Sequence, residues 1–289
     1  MPLDERPAPG PGTGYLGPEG SFSHEAARRW RRLHPEAGPL VPFGDLGALF
    51  AAAERGRVAF AVCPLENSLE GSVVLTLDLW LHESTLRQVG EVVLPVHQWL
   101  MVRPGVTLTQ VERVLSHPHA LMQCRRTLQA LLPGVPTEGV SSTAEAARRV
   151  AASPRPWAAV AGAEAAALHG LELAFGPAQD GQPNATRFGV LARGWPAPTG
   201  RDRTTLVVGS LRDRPGLLRD LLAEFADRGI NLTRIESRPS REGLGRYLFL
   251  IDLEGHAEDP AVAEAIAAVR RQVGYLRLLG SYPRDPGEG

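Results

Sequence analysis

The alternation of apolar and polar positions changes character near residue 200. Upstream, short apolar runs such as 58–62 and 157–161 are separated by helical stretches such as 144–152. Strands spaced by helices predict an α/β domain with a largely parallel sheet. Downstream, residues 204–211 read as a strand, and Pro215 opens a helix that sets Leu217, Leu218, Leu221, Leu222 and Phe225 on one face. Strands at about 230–239 and 245–254, a helix at 259–272 and a last strand at 275–282 follow. The order βαββαβ predicts a ferredoxin-like module. Pro- and Gly-rich punctuation gives residues 1–12 as a disordered leader and 194–202 as a linker. That leaves 13–193 and 203–282 as folded units, with 283–289 as a tail.

Composition then excludes several classes of function. With 289 residues, 43% of them apolar, the chain can bury a sizeable core. No segment approaches the roughly 18 consecutive apolar residues of a membrane span, and the start, MPLDERPAPGPGTG, lacks a signal peptide's basic and apolar regions, so the cytoplasm is the expected location. The two cysteines, Cys63 and Cys124, fit no metal-ligand or CxxC spacing and read as reduced thiols. All the basic residues are arginine, and 31 of them against 32 acidic residues leave a net charge of -1. That balance predicts no broad field to attract nucleic acid or an acidic membrane. Neither a phosphate-binding loop, nor GxGxxG, nor a metal-spaced histidine pair is present, so no cofactor and no metal are expected.

Four polar loops each follow a strand-like run and precede a helix start: 17–24 (GPEGSFSH), 64–72 (PLENSLEGS), 116–124 (SHPHALMQC) and 141–145 (SSTAE). The carboxyl ends of sheet strands are where α/β folds place ligands, and free N–H groups at helix starts favour an anion. Convergence of several such loops would suit a small dicarboxylate. Taken singly, each is also an ordinary cap, and Ser142 with Glu145 forms a capping box. A fifth segment, 184–191 (NATRFGVL), sets Thr186 and Arg187 side by side where a loop enters an apolar strand. Strand alternation sends the two side chains to opposite faces unless the loop is kinked.

GPEGSFSHEAA, CPLENSLEGSV, SHPHALMQC, SSTAEAA and NATRF resemble, in order and spacing, the prephenate dehydratase family. The segments RPGLL (214–218) and ESRP (236–239) are similar to those of the ACT regulatory domain that follows the catalytic domain in that family. The resemblance covers about residues 13–282. It implies a two-lobed catalytic domain around a cleft, of periplasmic-binding-protein-like form, followed by a ferredoxin-like ACT domain. It also implies cofactor-free conversion of prephenate to phenylpyruvate and feedback inhibition by phenylalanine bound at an ACT dimer interface.

The resemblance further implies roles for individual residues. Thr186 would direct its hydroxyl at the leaving oxygen, backed by Glu66, while Asn67 and Gln123 orient the substrate. Ser21, Ser68, Ser142, Thr143, Arg187 and Phe188 would complete the substrate site. Pro215, Gly216, Leu217 and Leu218 would hold phenylalanine against Asn231 and Leu232 of a second subunit, beside Glu236, Ser237 and Arg238. A homodimer or a dimer of dimers would cover the open edge of the second module.

Two positions depart from the family pattern: His119 stands where glutamine is common, and Pro215 to Leu218 replace a GALV-like segment. The residues leave a non-catalytic amino-acid sensor as a second class of function and arogenate as an alternative substrate. The intact TRF and ENS segments favour the enzyme, because a pure binder has no use for a donor threonine.

Overall fold

The structure is a computed structural model that describes residues 12–181, 183–209 and 215–287. Most of the expected leader, Arg214 and the end of the strand expected at 204–211 lie outside the described residues.

The first lobe is built from β1 (Thr13–Leu16), α1 (Phe22–Leu33), β2 (Leu40–Phe43), α2 (Leu46–Glu54), β3 (Phe60–Asn67), β4 (Gly71–Ser72), α3 (Val74–His82) and β5 (Arg87–Pro95). β3 is an unbroken apolar run through Leu65 because both its faces are covered. α1 is amphipathic, and it turns Ala26, Ala27 and Trp30 inward beneath an N-cap formed by Ser21.

The chain then crosses to a second lobe of β6 (Trp99–Val102), β7 (Arg113–Ser116), α4 (Pro118–Gln123), α5 (Arg125–Leu131), β8 (Thr137–Gly139), α6 (Thr143–Ala152), β9 (Trp157–Ala161), α7 (Ala163–His169) and β10 (Glu172–Phe175). It returns through β11 (Ala185–Ala192) to pair between β3 and β5. The two crossings are tied together, with Val96 N–H donating to Asn184 O at 2.7 Å and Ala178 N–H donating to Gln98 O at 2.7 Å.

The largely parallel sheet expected from the sequence is corrected here: both sheets are mixed. β1 pairs in parallel with β2 and β3, and β7 with β8 and β9, but β11 runs antiparallel to both its neighbours, as does β6. The two crossings are the physical reason, because a strand returning from the other lobe enters its sheet from the opposite end.

The remaining chain forms β12 (Asp202–Gly209), α8 (Leu217–Ala226), β13 (Leu232–Pro239), β14 (Tyr247–Glu254), α9 (Pro260–Gln272) and β15 (Tyr275–Pro283). α8 begins at Leu217, two residues later than expected, because Gly216 takes a left-handed conformation (φ 83°) as its N-cap. The strand order β13-β14-β12-β15 is that of a ferredoxin-like module, and it continues through β5-β11-β3-β1-β2, with β4 paired to β3 off this path, into one ten-stranded sheet. One face of the module's sheet packs on α8 and α9. Val207, Leu250 and Leu279 on its other face join Trp80, Leu81 and Leu86 of the first lobe in a shared core.

A single ladder pair, Gly280 with Gln88, joins the two parts of this sheet. A Cβ at Gly280 would lie 2.4 Å from the Gln88 carbonyl oxygen and 2.8 Å from its Cβ. Backbone cannot rotate away as a side-chain tip can. Gly280→Ala is therefore expected to destabilise the full chain by about 1–3 kcal/mol, read as a lower denaturant midpoint. An unchanged midpoint would mean that the joint yields freely.

Candidate active site

Four of the five singled-out loops open on the space between the lobes, and the fifth enters beside them. The resulting cleft encloses about 510 Å³. Gly17, Pro18 and Ser21 come from the loop after β1, and Asn67 and Glu70 from the turn after β3. His117 and His119 come from the start of α4 and Gln123 from its end, Ser142 and Thr143 from the start of α6, and Asn184, Thr186 and Phe188 from the entry to β11.

Anion-binding capacity here rests on backbone. Ser21 and Ser142 cap α1 and α6, accepting from His24 N–H at 3.2 Å and from Glu145 N–H at 3.0 Å. Both serines therefore act as N-caps, but the expected capping box at Ser142 is only half made, because the Glu145 carboxylate binds Arg148; the helix N-termini still present positive dipole ends to the cleft. Among the described residues no arginine lines it.

The centre of the polar wall is a pair across β3 and β11, where Thr186 lies opposite Asn67. The Asn67 amide donates to Thr186 Oγ1 at 3.0 Å and to Asn184 Oδ1 at 2.8 Å. With its oxygen already accepting, the Thr186 hydroxyl keeps its hydrogen for a partner in the cleft. Ser68, expected to touch substrate, instead braces this wall: it is exposed, donates to Asn184 Oδ1 at 3.3 Å and accepts from Ala185 N–H at 3.0 Å.

Glu66 and Arg187 require correction. Both were expected in the substrate site, yet neither lines the cleft. Each is one residue from a cleft-facing neighbour on a strand, so alternation carries both to the opposite face. There Arg187 Nη2 donates to Glu66 Oε2 at 2.7 Å and to Asp252 Oδ2 of β14 at 2.9 Å. Glu66 thus backs Arg187, and the group behind Thr186 is the amide of Asn67.

Glu70 is the carboxylate that the cleft does contain, and the sequence reading passed over it. The Asn67 side-chain oxygen accepts from Leu69 N–H at 2.9 Å and from Glu70 N–H at 3.1 Å, closing the turn that projects Glu70 toward the second lobe. Glu70 bonds there to His119 Nδ1 at 2.8 Å and to Gln123 Nε2 at 3.1 Å. The signal was the Asx-turn potential of Asn67 in ENSLEG. Burial, followed by the neighbouring His119, pushes the His117 imidazole below its ordinary pKa.

The effector residues divide. Pro215 and Gly216 are exposed at the start of α8, Leu217 is buried in the module's core and Leu218 is half-buried. Asn231 and Ser237 are exposed, and Leu232 packs against the core. Glu236 and Arg238 turn toward the first lobe instead of toward an open pocket. Glu236 accepts from Ser72 Oγ at 2.5 Å, and Arg238 donates to Asp78 at 2.6 Å. Alternation along β13 separates them from Ser237.

Two lobes joined by paired crossings, a polar cleft and a ferredoxin-like module on a shared sheet define a small-acid enzyme with an appended regulatory domain. Residues 13–195 match the prephenate dehydratase family profile, and residues 204–271 match the ACT domain. The prephenate dehydratase of Mycolicibacterium vanbaalenii is 42% identical over 288 residues, covering 94% of this chain and 91% of its own. The bifunctional chorismate mutase/prephenate dehydratase of Stutzerimonas stutzeri is 40% identical over 272 residues, 93% of this chain and 72% of the longer relative. Among solved structures, a prephenate dehydratase from Arthrobacter aurescens in complex with L-Phe superposes with a TM-score of 0.84 at 37% identity, covering 94% of this chain and 89% of that one. GqqA, described as a novel type of quorum quenching acylase, superposes at 0.82 with 32% identity, covering 95% and 98%. The chain belongs to the prephenate dehydratase family, whose members are hydro-lyases, and it carries the ACT domain at its C-terminal end.

Proposed function

We propose that this chain converts prephenate to phenylpyruvate in the cleft between its lobes, in the cytoplasm, and that phenylalanine acting through the ACT domain restrains it. The catalytic unit is assigned to residues 13–193, the linker to 194–202 and the regulatory unit to 203–282. The observation that carries the reading is the Asn67–Thr186 pair facing a cleft that, among the described residues, no guanidinium lines.

In this reaction the ring carboxylate departs as carbon dioxide, its bonding electrons complete the aromatic ring, and the ring hydroxyl leaves and takes up a solvent proton to become water. The retained pyruvyl carboxylate needs an anchor, and the N-termini of α1 and α6 supply it without a fixed cation. A guanidinium on the departing carboxylate would stabilise the ground state and raise the barrier. Thr186 donates its hydroxyl hydrogen to the leaving oxygen, Asn67 fixes the direction of that donation, and Gln123 and Ser142 border the substrate.

Prephenate fits better than arogenate. The ammonium of arogenate calls for an unengaged carboxylate, whereas Glu70 is shared by His119 and Gln123. An amide-hydrolysing reading, raised by GqqA, lacks an activated hydroxyl nucleophile: among the described residues no histidine ring nitrogen is hydrogen-bonded to a serine or threonine hydroxyl. Incubating the pure protein with prephenate and with arogenate, and following phenylpyruvate and phenylalanine separately, tests the assignment. Phenylpyruvate should accumulate from prephenate, and inertness toward prephenate would overturn it.

A further inference from the structure

Arg187 occupies a place that the dehydration chemistry does not use. It is adjacent to Thr186 on β11, its side chain is 10% exposed, and it contacts three carboxylates: Glu66, Asp252 and, at 3.7 Å, Glu91. Glu66 and Glu91 belong to the catalytic strands β3 and β5, whereas Asp252 belongs to β14 of the ACT domain. Asp252 is itself fixed: its other oxygen accepts from Thr205 Oγ1 at 2.8 Å, and that hydroxyl lies 3.1 Å from Tyr282 Oη. The pairing of β11 with β3 also shifts register between Arg187 and Phe188. At this bulge the ladder is locally disrupted, so side-chain contacts matter more for the pose of residue 186.

We propose that Asp252 is a positioning residue for Thr186, acting through the Arg187 guanidinium, so that the ACT domain helps to build the catalytic geometry. The inference rests on Thr186 being the donor. Arg187 is held between carboxylates of two domains, and removing the pull from one lets it settle toward Glu66 and Glu91. Its backbone, and with it the Thr186 Cα one peptide away, then shifts. Ser72 supports the same connection from β4, whose pairing with β3 is Gly71 opposite Asn67 and Ser72 opposite Glu66. Its hydroxyl donates to Glu236 Oε2 of the ACT strand β13. The residues next to both members of the Thr186–Asn67 pair, Arg187 on β11 and Ser72 across from Glu66, are therefore held by side chains of the ACT domain.

The test uses the full-length protein. Asp252→Asn keeps the shape and the acceptor for Thr205 but removes the charge. Displacing a donor costs rate more than affinity, so kcat should fall about tenfold or more while KM for prephenate changes little. In a Thr186→Ala background the same substitution should change the residual kcat by less than about twofold, because no donor remains to be misplaced. A purely structural role would lower both backgrounds equally. The proposal is overturned if Asp252→Asn turns over like the parent protein, or if its penalty persists undiminished in Thr186→Ala. Thr205→Val, which leaves the carboxylate in place but frees it to rotate, should give a smaller kcat loss of the same kind. If Asp252→Asn does not fold, unaltered kcat in Thr205→Val overturns the proposal. Failure of the donor assignment is recognised separately, since Thr186→Ala alone would then turn over normally.

Discussion

Thr186→Ala is expected to lower kcat by roughly a hundredfold or more with little change in KM, whereas Thr186→Ser should keep a substantial part of the activity. The argument is geometric. The Asn67 amide occupies a lone pair on Thr186 Oγ1, so the hydroxyl hydrogen is directed into the cleft. Charge builds on the leaving oxygen only as the C–O bond breaks, and a donor aimed there binds the transition state better than the ground state. Serine restores the hydroxyl but lacks the methyl that limits the χ1 rotamers of threonine, and it should therefore lose part of the pre-set direction. Asn67→Ala removes the orienting group and should produce a mixed loss in kcat and KM, because Asn67 also closes the turn that carries Glu70. Steady-state kinetics on prephenate separates these outcomes. Full turnover in Thr186→Ala would sink the assignment.

Local pattern made much of this site legible and left its tertiary half hidden. The βαββαβ order, the strand at 157–161 and the loops after β1, β3 and β7 follow from periodicity and punctuation, which depend on neighbours in sequence. Strand alternation likewise sets Thr186 and Arg187 on opposite faces, and the substrate role that the family resemblance implies for Arg187 would need a kink between the two residues that the strand does not make. Its true partner, Asp252, lies 65 positions away, and nothing local to either residue announces a buried pair. Burial pushes the Asp252 carboxyl up, but the guanidiniums of Arg187 and then Arg234 outweigh it and hold the group below the ordinary carboxylate range. The choice between Glu66 and Glu70 depended on hairpin register. With Asn67 opposite Gly71, Glu66 points away and the turn swings Glu70 across to His119 and Gln123. The Pro- and Gly-rich linker marks a change of pattern, but composition could not reveal that β15 would dock on β5 and make one sheet of two domains.

Phenylalanine is expected to reduce kcat/KM about 5- to 150-fold at saturation, the usual range of coupling between distinct sites, and Gly216→Val is expected to abolish that response. Among the described residues no side chain caps α8, whose N-cap is Gly216, and a ligand carboxylate is expected to take the place at the helix start that a capping side chain would otherwise occupy. Valine at φ 83° is strained, and its side chain would stand in that approach, where the nearest atoms to an added Cβ are the Arg219 guanidinium at 3.4 Å. Truncation at residue 201 is the blunter experiment. It would strip Val207, Leu250 and Leu279 from Trp80, Leu81 and Leu86, exposing an apolar face and removing Asp252 together with any effector site. Loss of activity in that fragment would report a damaged core, whereas the point variant leaves the shared sheet in place. Calorimetry should show phenylalanine binding to the parent protein and at least tenfold weaker binding to Gly216→Val, with inhibition lost in parallel. A parent protein that ignores millimolar phenylalanine in both calorimetry and kinetics would end the regulatory reading while leaving the dehydratase assignment intact.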